Sequence, residues 1–473
     1  MSATFETDVP ARLDNLAWSR WHWRVVVALG ITWMLDGLEV TIVGALGSVL
    51  KEPETLGLTA TQVGLSGSVY IAGAIVGALW FGHLADRHGR KRLFLATLGL
   101  YVVATTATAF SVDFDTFALC RFFTGMGIGG EYAAINSAID ELIPARVRGV
   151  VDLTINGSYW LGTALGAVMS SILLDPRVLG HAWGFRAAFG LGAVLALGIV
   201  LVRRYVPESP RWLMVRARHP EALAIVAAIE AECPPFEPCP EPRRITIRVG
   251  EHVGLRRVAR VIFRQYRSRA VLGLALMIAQ AFFYNAIFFT YALTLTEFYG
   301  VAPEHVGHYL LPFALGNFLG PLLLGRAFDV VGRRPMIAFT YAASGMLLVL
   351  TGVLFERQLL TATTHTVMWS VSFFFASAAA SAAYLTVSEI FPLEIRALAI
   401  ALFYAVGTGT GGLVAPALFG MLIESNSRTE LFYGYLLAGT LMVAAALVTL
   451  RLGVAAERRA LEDIAPPLSA GTG

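Results

Sequence analysis

Two carboxylates, Asp36 and Glu39, stand in the run WMLDGLEVTIVGALGSVL, where the residues on either side are apolar. Three positions apart, they share one face of a helix. A charged side chain at the centre of a bilayer costs at least ~2.5–3.5 kcal/mol, so such acids face a polar cavity or stay protonated. Burial raises a carboxyl pKa, a nearby cation lowers it, and neighbouring acids titrate as a coupled pair. The chemistry open to this pair is proton uptake on one side of a barrier and release on the other. The alternative is a pair of neutral, hydrogen-bonded acids that only pack a bundle. Arg121 and Glu131, in RFFTGMGIGGE, are charged residues in a similar setting.

A second group of charges recurs. In GHLADRHGRKR (82–92), Gly82, Asp86, Gly89 and Arg90 return as Gly325, Asp329, Gly332 and Arg333 of GRAFDVVGRRP (325–335), all displaced by 243 residues. In ELIPARVRG (141–149), Glu141, Pro144 and Arg148 return as Glu389, Pro392 and Arg396 of EIFPLEIRA (389–397). Two agreements at nearly one offset indicate an internal duplication. Charges at such short connections either fix topology or pair across a gate, Asp86 and Arg90 being within reach of Glu141 and Arg148. An exposed pair contributes only ~0–1 kcal/mol, more when desolvated, which suits a contact that breaks in every cycle.

Composition names the elements that must carry these residues. Of 473 residues 56% are hydrophobic and 15% charged, against about a quarter charged in soluble proteins, and the mean hydropathy is +0.65. That excludes a soluble enzyme and makes the chain an all-α polytopic membrane protein. Twelve apolar runs are each about long enough to cross a bilayer: 25–50, 62–84, 93–110, 117–140, 149–173, 183–203, 270–298, 306–327, 336–355, 365–388, 398–422 and 431–450. The 46 glycines suit close helix packing. The chain therefore divides into a terminal segment (1–24), a six-helix bundle (25–203), a linker (204–269), a second bundle (270–450) and a tail (451–473). Six spans per copy give both copies one orientation, a parallel repeat that can rock about a central site.

Arg20, Arg24, Arg87, Arg90, Lys91, Arg92, Arg146, Arg148, Arg333, Arg334, Arg451, Arg458 and Arg459 fall on connections of one parity, as do the 13 arginines of 204–269. Lys51, Arg177 and Arg428 are the clearest basic residues of the other. The positive-inside rule then puts both termini and the linker in the cytoplasm of a plasma membrane, and the basic charge serves topology rather than nucleic acid. No cleaved signal is expected, since the first 20 residues are polar. Cys120, Cys233 and Cys239 predict no disulfide, and two thiols in CPPFEPCP (233–240) cannot fill a zinc shell. No metal or other cofactor is expected. The nucleotide loop G-x-x-x-x-G-K-[ST] does not occur.

On these boundaries span 1 runs outward and span 4 inward. Glu39 is then level with Glu131, and Arg121 lies ten residues, about 15 Å, further out. Arg121 can meet Glu39 by its long side chain, meet a substrate carboxylate, or snorkel to the surface. Asn156, Tyr159 and Trp160 of span 5 and Gln280, Tyr284 and Asn285 of span 7 stand at mid-depth as candidate substrate contacts, with Asn317, Tyr384 and Tyr404 of spans 8, 10 and 11. A buried amide can equally brace two helices, and the rings offer a stacking surface.

The whole chain resembles the major facilitator superfamily. The 82–92 block is similar to that family's signature between spans 2 and 3, and RFFTGMGIGGE, PESPRWL (207–213) and EIFPLEIRA are similar to signatures of sugar porters and their organic-ion and synaptic-vesicle relatives. The resemblance implies that Glu39 is the proton-titrating acid and Arg121 its partner, and it adds Glu208 and Arg211 to the gate set of Asp86, Arg90, Glu141, Arg148, Asp329, Arg333, Glu389 and Arg396. The chain departs from sugar porters in carrying Leu38 for their Tyr, Glu39 for their Asp and an added Asp36. Span 7 also lacks their paired glutamines. The whole looks more like bacterial metabolite–proton symporters near the niacin, aromatic-acid and organic-ion carriers. The expected function is proton-coupled symport of a small carboxylate or aromatic acid by a monomer. A sugar or organic-cation carrier and a transport-inactive sensor are the alternatives.

Overall fold

The structure, a computed structural model, describes residues 4–46, 50, 53–58, 60–173, 179, 181–203, 207–236, 244–248, 255–288, 290–301, 306–392 and 395–466. Among them stand twelve spans. Spans 1 to 6 are Arg20–Leu46, Ala60–His88, Arg90–Thr108, Phe114–Leu142, Arg148–Leu173 and His181–Arg203. Span 7 is Arg267–Phe288, continued by Tyr291–Tyr299, and spans 8 to 10 are Val306–Val330, Arg333–Glu356 and Ala362–Glu389. Span 11 is Arg396–Gly407, passing through a π-helical turn, Thr408–Gly412, into Leu413–Glu424; span 12 is Arg428–Leu452. Six helices among the described residues are long and apolar enough to cross a membrane by length and composition alone. The apolar runs give these helices, with two departures: the runs expected at 270–298 and 398–422 are each interrupted. In span 11 the interruption falls on Thr408-Gly409-Thr410-Gly411-Gly412, where small residues leave the backbone free to slip into the wider turn.

The duplication reappears in the packing. Span 1 lies on span 5 and span 2 on span 4; in the second half span 7 lies on span 11 and span 8 on span 10. Between the halves span 5 meets span 8 and span 2 meets span 11, the same contact made twice. Gly89 and Gly332, which match in the repeated motif, precede spans 3 and 9 with φ of 97° and 117°, a backbone that a side chain would strain.

The two termini and the linker lie on one side. Strand β1 (Thr4–Thr7) pairs antiparallel with β2 (Ile245–Arg248), Thr4 facing Arg248. Helices Val9–Asp14, Pro210–Val215 and His219–Glu232 pack with Val9, Leu13, Trp212, Leu213, Val226 and Ile229 in one buried cluster. Arg12 clamps both oxygens of Glu230 at 2.8 and 2.6 Å. The segments read from sequence as terminal segment and linker thus form a packed layer. Cys233 is buried in it, and Cys239 lies outside the described residues.

Candidate functional site

Span 1 is pressed against span 5 at the residue between the two acids. A Cβ on Gly37 would fall on the carbonyl of Tyr159, and one on Gly162 would fall on that of Met34. The interlock fixes the rotation of span 1. Glu39 is 2% exposed and its Oε1 accepts from Arg121 Nη1 at 2.5 Å. The depth expected from sequence does not hold. Span 1 runs from Arg20 to Leu46 rather than over 25–50, and Phe114, not residue 117, starts span 4. These shifts of register bring Arg121 level with Glu39. Glu131, also buried, lies ten residues further along the same helix, about 15 Å from Arg121.

The pair is sparsely supported. Arg121 Nε has no hydrogen-bond partner among the described residues, and Glu39 Oε2 has no well-formed hydrogen bond, the Tyr101 hydroxyl being within reach of its carboxylate. The guanidinium lies 4.5 Å from the ring centre of Tyr70 and 5.9 Å from that of Phe189. Asp36, buried, accepts from Tyr70 Oη at 3.3 Å.

Trp160 joins the halves at the centre. Its ring lies 5.8 Å from Tyr284, 5.6 Å from Phe288 and 5.8 Å from Phe313, with Tyr159 of its own span at 5.3 Å. Tyr384 and Tyr404 face each other at 6.4 Å, and Tyr384 is within reach of Gln280. Asp36 adjoins Gly37, which packs on the backbone of Tyr159, and so lies beside these residues. The amides are partly committed. Asn156, Asn285 and Asn317 each donate to the carbonyl four residues back, at 2.9, 2.7 and 3.0 Å. Asn317 also accepts from Tyr284 Oη at 2.9 Å, so it braces that ring.

On the terminal side, Arg333 is buried and all three of its side-chain nitrogens donate. Its Nε and Nη2 donate to the two oxygens of Glu389, each at 3.0 Å, and Nη1 donates to Asp329 at 2.7 Å and the Phe328 carbonyl at 2.9 Å. Asp329 reaches across the molecule. It accepts from the backbone N–H groups of Gly149 at 3.1 Å and Val150 at 2.7 Å, in the first turn of span 5, where such groups lack a helical partner. Arg148 lies 3.7 Å from Glu389, and Arg396 lies 4.0 Å from Glu141. Glu141 and Arg148 thus meet the opposite half. The side chains of Asp86 and Arg90, their expected partners, lie outside the described residues.

Glu208 has a different task. Its carboxylate accepts from Lys91 N at 3.4 and 3.3 Å, capping span 3, and it passes where a side chain on Gly89 would stand. Glu457 does the same for span 9, accepting from Arg333 N at 3.3 Å. Arg211 bridges Asp14 at 3.2 Å and Glu462 at 3.3 Å. Burial opposes its charge, and Glu462, Asp14 and Glu141 together more than offset that, holding its pKa above the ordinary value. Asp14 also reaches Arg148 at 3.4 Å. Sequence reasoning missed Tyr70, Asp14, Glu457 and Glu462. Only Glu457 carried a signal, standing 249 positions after Glu208 and so near the offset of the duplication.

Two parallel six-helix halves, meeting over a polar and aromatic centre and tied by charges on one side, define a carrier of the major facilitator superfamily. The chain belongs to the family described as "Sugar (and other) transporter", which matches residues 36–467. It is a multi-pass metabolite transporter and not an enzyme. It is similar to the niacin transporter NiaP of Acinetobacter baylyi, 28% identical over 97% of this chain and 99% of that protein. A 4-hydroxybenzoate transporter, PcaK of Pseudomonas aeruginosa, is 27% identical over 73% of this chain and 75% of its own length. Among solved structures, the proton:xylose symporter XylE superposes with a TM-score of 0.77, at 19% identity over 94% of this chain and 98% of that one, a likeness of fold.

Proposed function

We propose that this transporter moves a small organic carboxylate, an aromatic acid among its substrates, together with protons, and that the terminal side is cytoplasmic. The observation that carries the reading is the buried Glu39–Arg121 pair beside Asp36, at a centre lined by Tyr159, Trp160 and Tyr284. Protonation of Glu39 from outside removes the charge facing Arg121, whose guanidinium then balances the substrate's carboxylate. Release reverses this: the substrate leaves, and Glu39 gives up its proton to the cytoplasm and pairs with Arg121 again. Loading the two together keeps the net charge in the membrane unchanged, where one uncompensated charge costs ~2.5–3.5 kcal/mol or more. The rings supply apolar area and stacking for a flat acid. The names of the niacin and 4-hydroxybenzoate relatives support the substrate class.

In this reading Asp329, Arg333, Glu389, Arg148, Glu141 and Arg396 form the cytoplasmic gate. Their contacts between the halves are intact in this structure and break when the site opens inward. An organic cation is the second reading, favoured by the carboxylate of Asp36 among the central rings. Proteoliposomes of the monomeric chain decide between them. Labelled nicotinate and 4-hydroxybenzoate are expected to accumulate when the outside is made acidic. If a protonophore leaves uphill accumulation unchanged with other ions absent, proton coupling is wrong.

A further inference from the structure

Tyr70 of span 2 touches both members of the charged cluster by different parts of one side chain. Its hydroxyl donates to Asp36 Oδ1 at 3.3 Å, and its ring face lies 4.5 Å from the guanidinium that holds Glu39. We infer that Tyr70 is a positioning residue that links the protonation of Asp36 to the Glu39–Arg121 pair. This rests on the proton-coupled reading and names the part that makes two acids act as one site.

The hydroxyl and the ring make different demands. The phenolic hydrogen prefers the plane of its ring, so a hydroxyl held on Asp36 biases that plane, and the plane sets how the ring's negative face meets Arg121. When Glu39 takes a proton, Arg121 loses its ion-pair partner, and the ring of Tyr70 is the nearest described aromatic face left to it. Turning that ring to follow Arg121 strains or releases the hydrogen bond to Asp36. A change at one acid is thereby transmitted to the other through a single rigid group. The titratable and charged groups facing Tyr70 are Asp36 and Glu39 of span 1, Arg121 of span 4 and Tyr404 of span 11. Tyr101 of span 3 and Tyr159 of span 5 stand beside the same acids. Span 2 meets span 11 of the other half, so Tyr70 stands on a helix that the rocking of the halves moves.

Infrared titration of the full chain in lipid reads carboxyl protonation without any substrate. Asp36→Asn and Glu39→Gln assign the two carboxyl bands, and each substitution is expected to move the midpoint of the other acid. In a Tyr70→Phe background, which keeps the ring and removes the hydroxyl, that cross-effect is expected to fall at least threefold. An unchanged cross-effect, or none in the unsubstituted chain, overturns the inference, because the acids then couple directly or not at all. In liposomes Tyr70→Phe is expected to lower acid-driven accumulation of 4-hydroxybenzoate at least fivefold while counterflow stays within twofold. Equal loss of both assigns Tyr70 a merely structural role and also overturns it. If the unsubstituted chain accumulates neither 4-hydroxybenzoate nor nicotinate, the aromatic-acid reading fails, and the infrared result still decides the role of Tyr70.

Discussion

Arg121 and Arg333 are both buried arginines held by glutamates, yet they are held in opposite ways. Arg121 makes one hydrogen bond, to one oxygen of Glu39, and leaves its Nε without a partner among the described residues and the other oxygen without a well-formed hydrogen bond. Arg333 engages both oxygens of Glu389, one of Asp329 and a backbone carbonyl. Removing charges from water costs several kcal/mol per ion, and only good geometry with further hydrogen bonds restores it. The Arg333 cluster meets that condition and Arg121 does not. An incompletely satisfied pair is the one whose charge state is readily changed, and a saturated cluster moves only as a unit. Under the function proposed above, the proton is handled in the first half, and the mechanical lock is built on the second.

The largest expected effect is on Arg333. Arg333→Ala removes the main partner of Glu389 and Asp329, leaving Glu389 with Arg148 at 3.7 Å and Asp329 with the N–H groups of Gly149 and Val150, and breaking such a buried pair costs ~3–5 kcal/mol. Arg121→Ala strands Glu39 alone, which can take up a proton and become neutral. Thermal unfolding in detergent is therefore expected to show Arg333→Ala as the more damaging by at least ~1.4 kcal/mol, a factor of ten in the folded ratio. Equal losses would erase the contrast between the two arginines.

Glu39→Gln sharpens the contrast in function. An amide imitates the protonated acid and cannot release a proton, so acid-driven accumulation is expected to fall at least tenfold while counterflow persists. Glu389→Gln is expected to lower both together. Should Glu39→Gln lose counterflow as well, Glu39 binds substrate or holds the fold rather than carrying the proton.

Asp329→Asn weakens one strap between the halves. Loss of charge at two backbone donors is expected to cost ~1–1.5 kcal/mol. About tenfold faster labelling of a cysteine at Val150 by an impermeant reagent, added from the terminal side, would register it. The smallest effect is expected at the half-exposed Arg12–Glu230 clamp. Arg12→Ala should lower stability by no more than ~1 kcal/mol and leave transport unchanged. A larger loss would mean that the terminal layer bears on the gate.

The duplicated charges were legible because their spacing repeats, and the acids of span 1 because apolar neighbours make a carboxylate conspicuous. Depth was less legible. Hydropathy marks where a run turns polar, whereas span 1 begins at Arg20, and a few residues at each end decided whether Glu39 met Arg121 or Glu131. Tyr70 was invisible, because a tyrosine in an apolar helix reads as packing until its hydroxyl and ring are seen to touch different groups. Asp14 and Glu462 sit in polar segments where another acid attracts no notice. Their partners Arg148 and Arg211 come from elsewhere in the chain, and proximity of that kind is set only by the fold.

The pairing of Thr4–Thr7 with Ile245–Arg248 also has a bearing on biosynthesis. The ribosome makes the first strand about 240 residues before its mate, a wait of roughly 12 to 50 seconds at ~5–20 residues per second. All six helices of the first half are polymerised within that interval. Until it ends, the strand presents unpaired amide and carbonyl groups, the kind of edge that invites wrong partners. Its proper partner emerges only after the first half is complete. Closure of this short ladder is therefore a timestamp, set only after the six helices of the first half have been made.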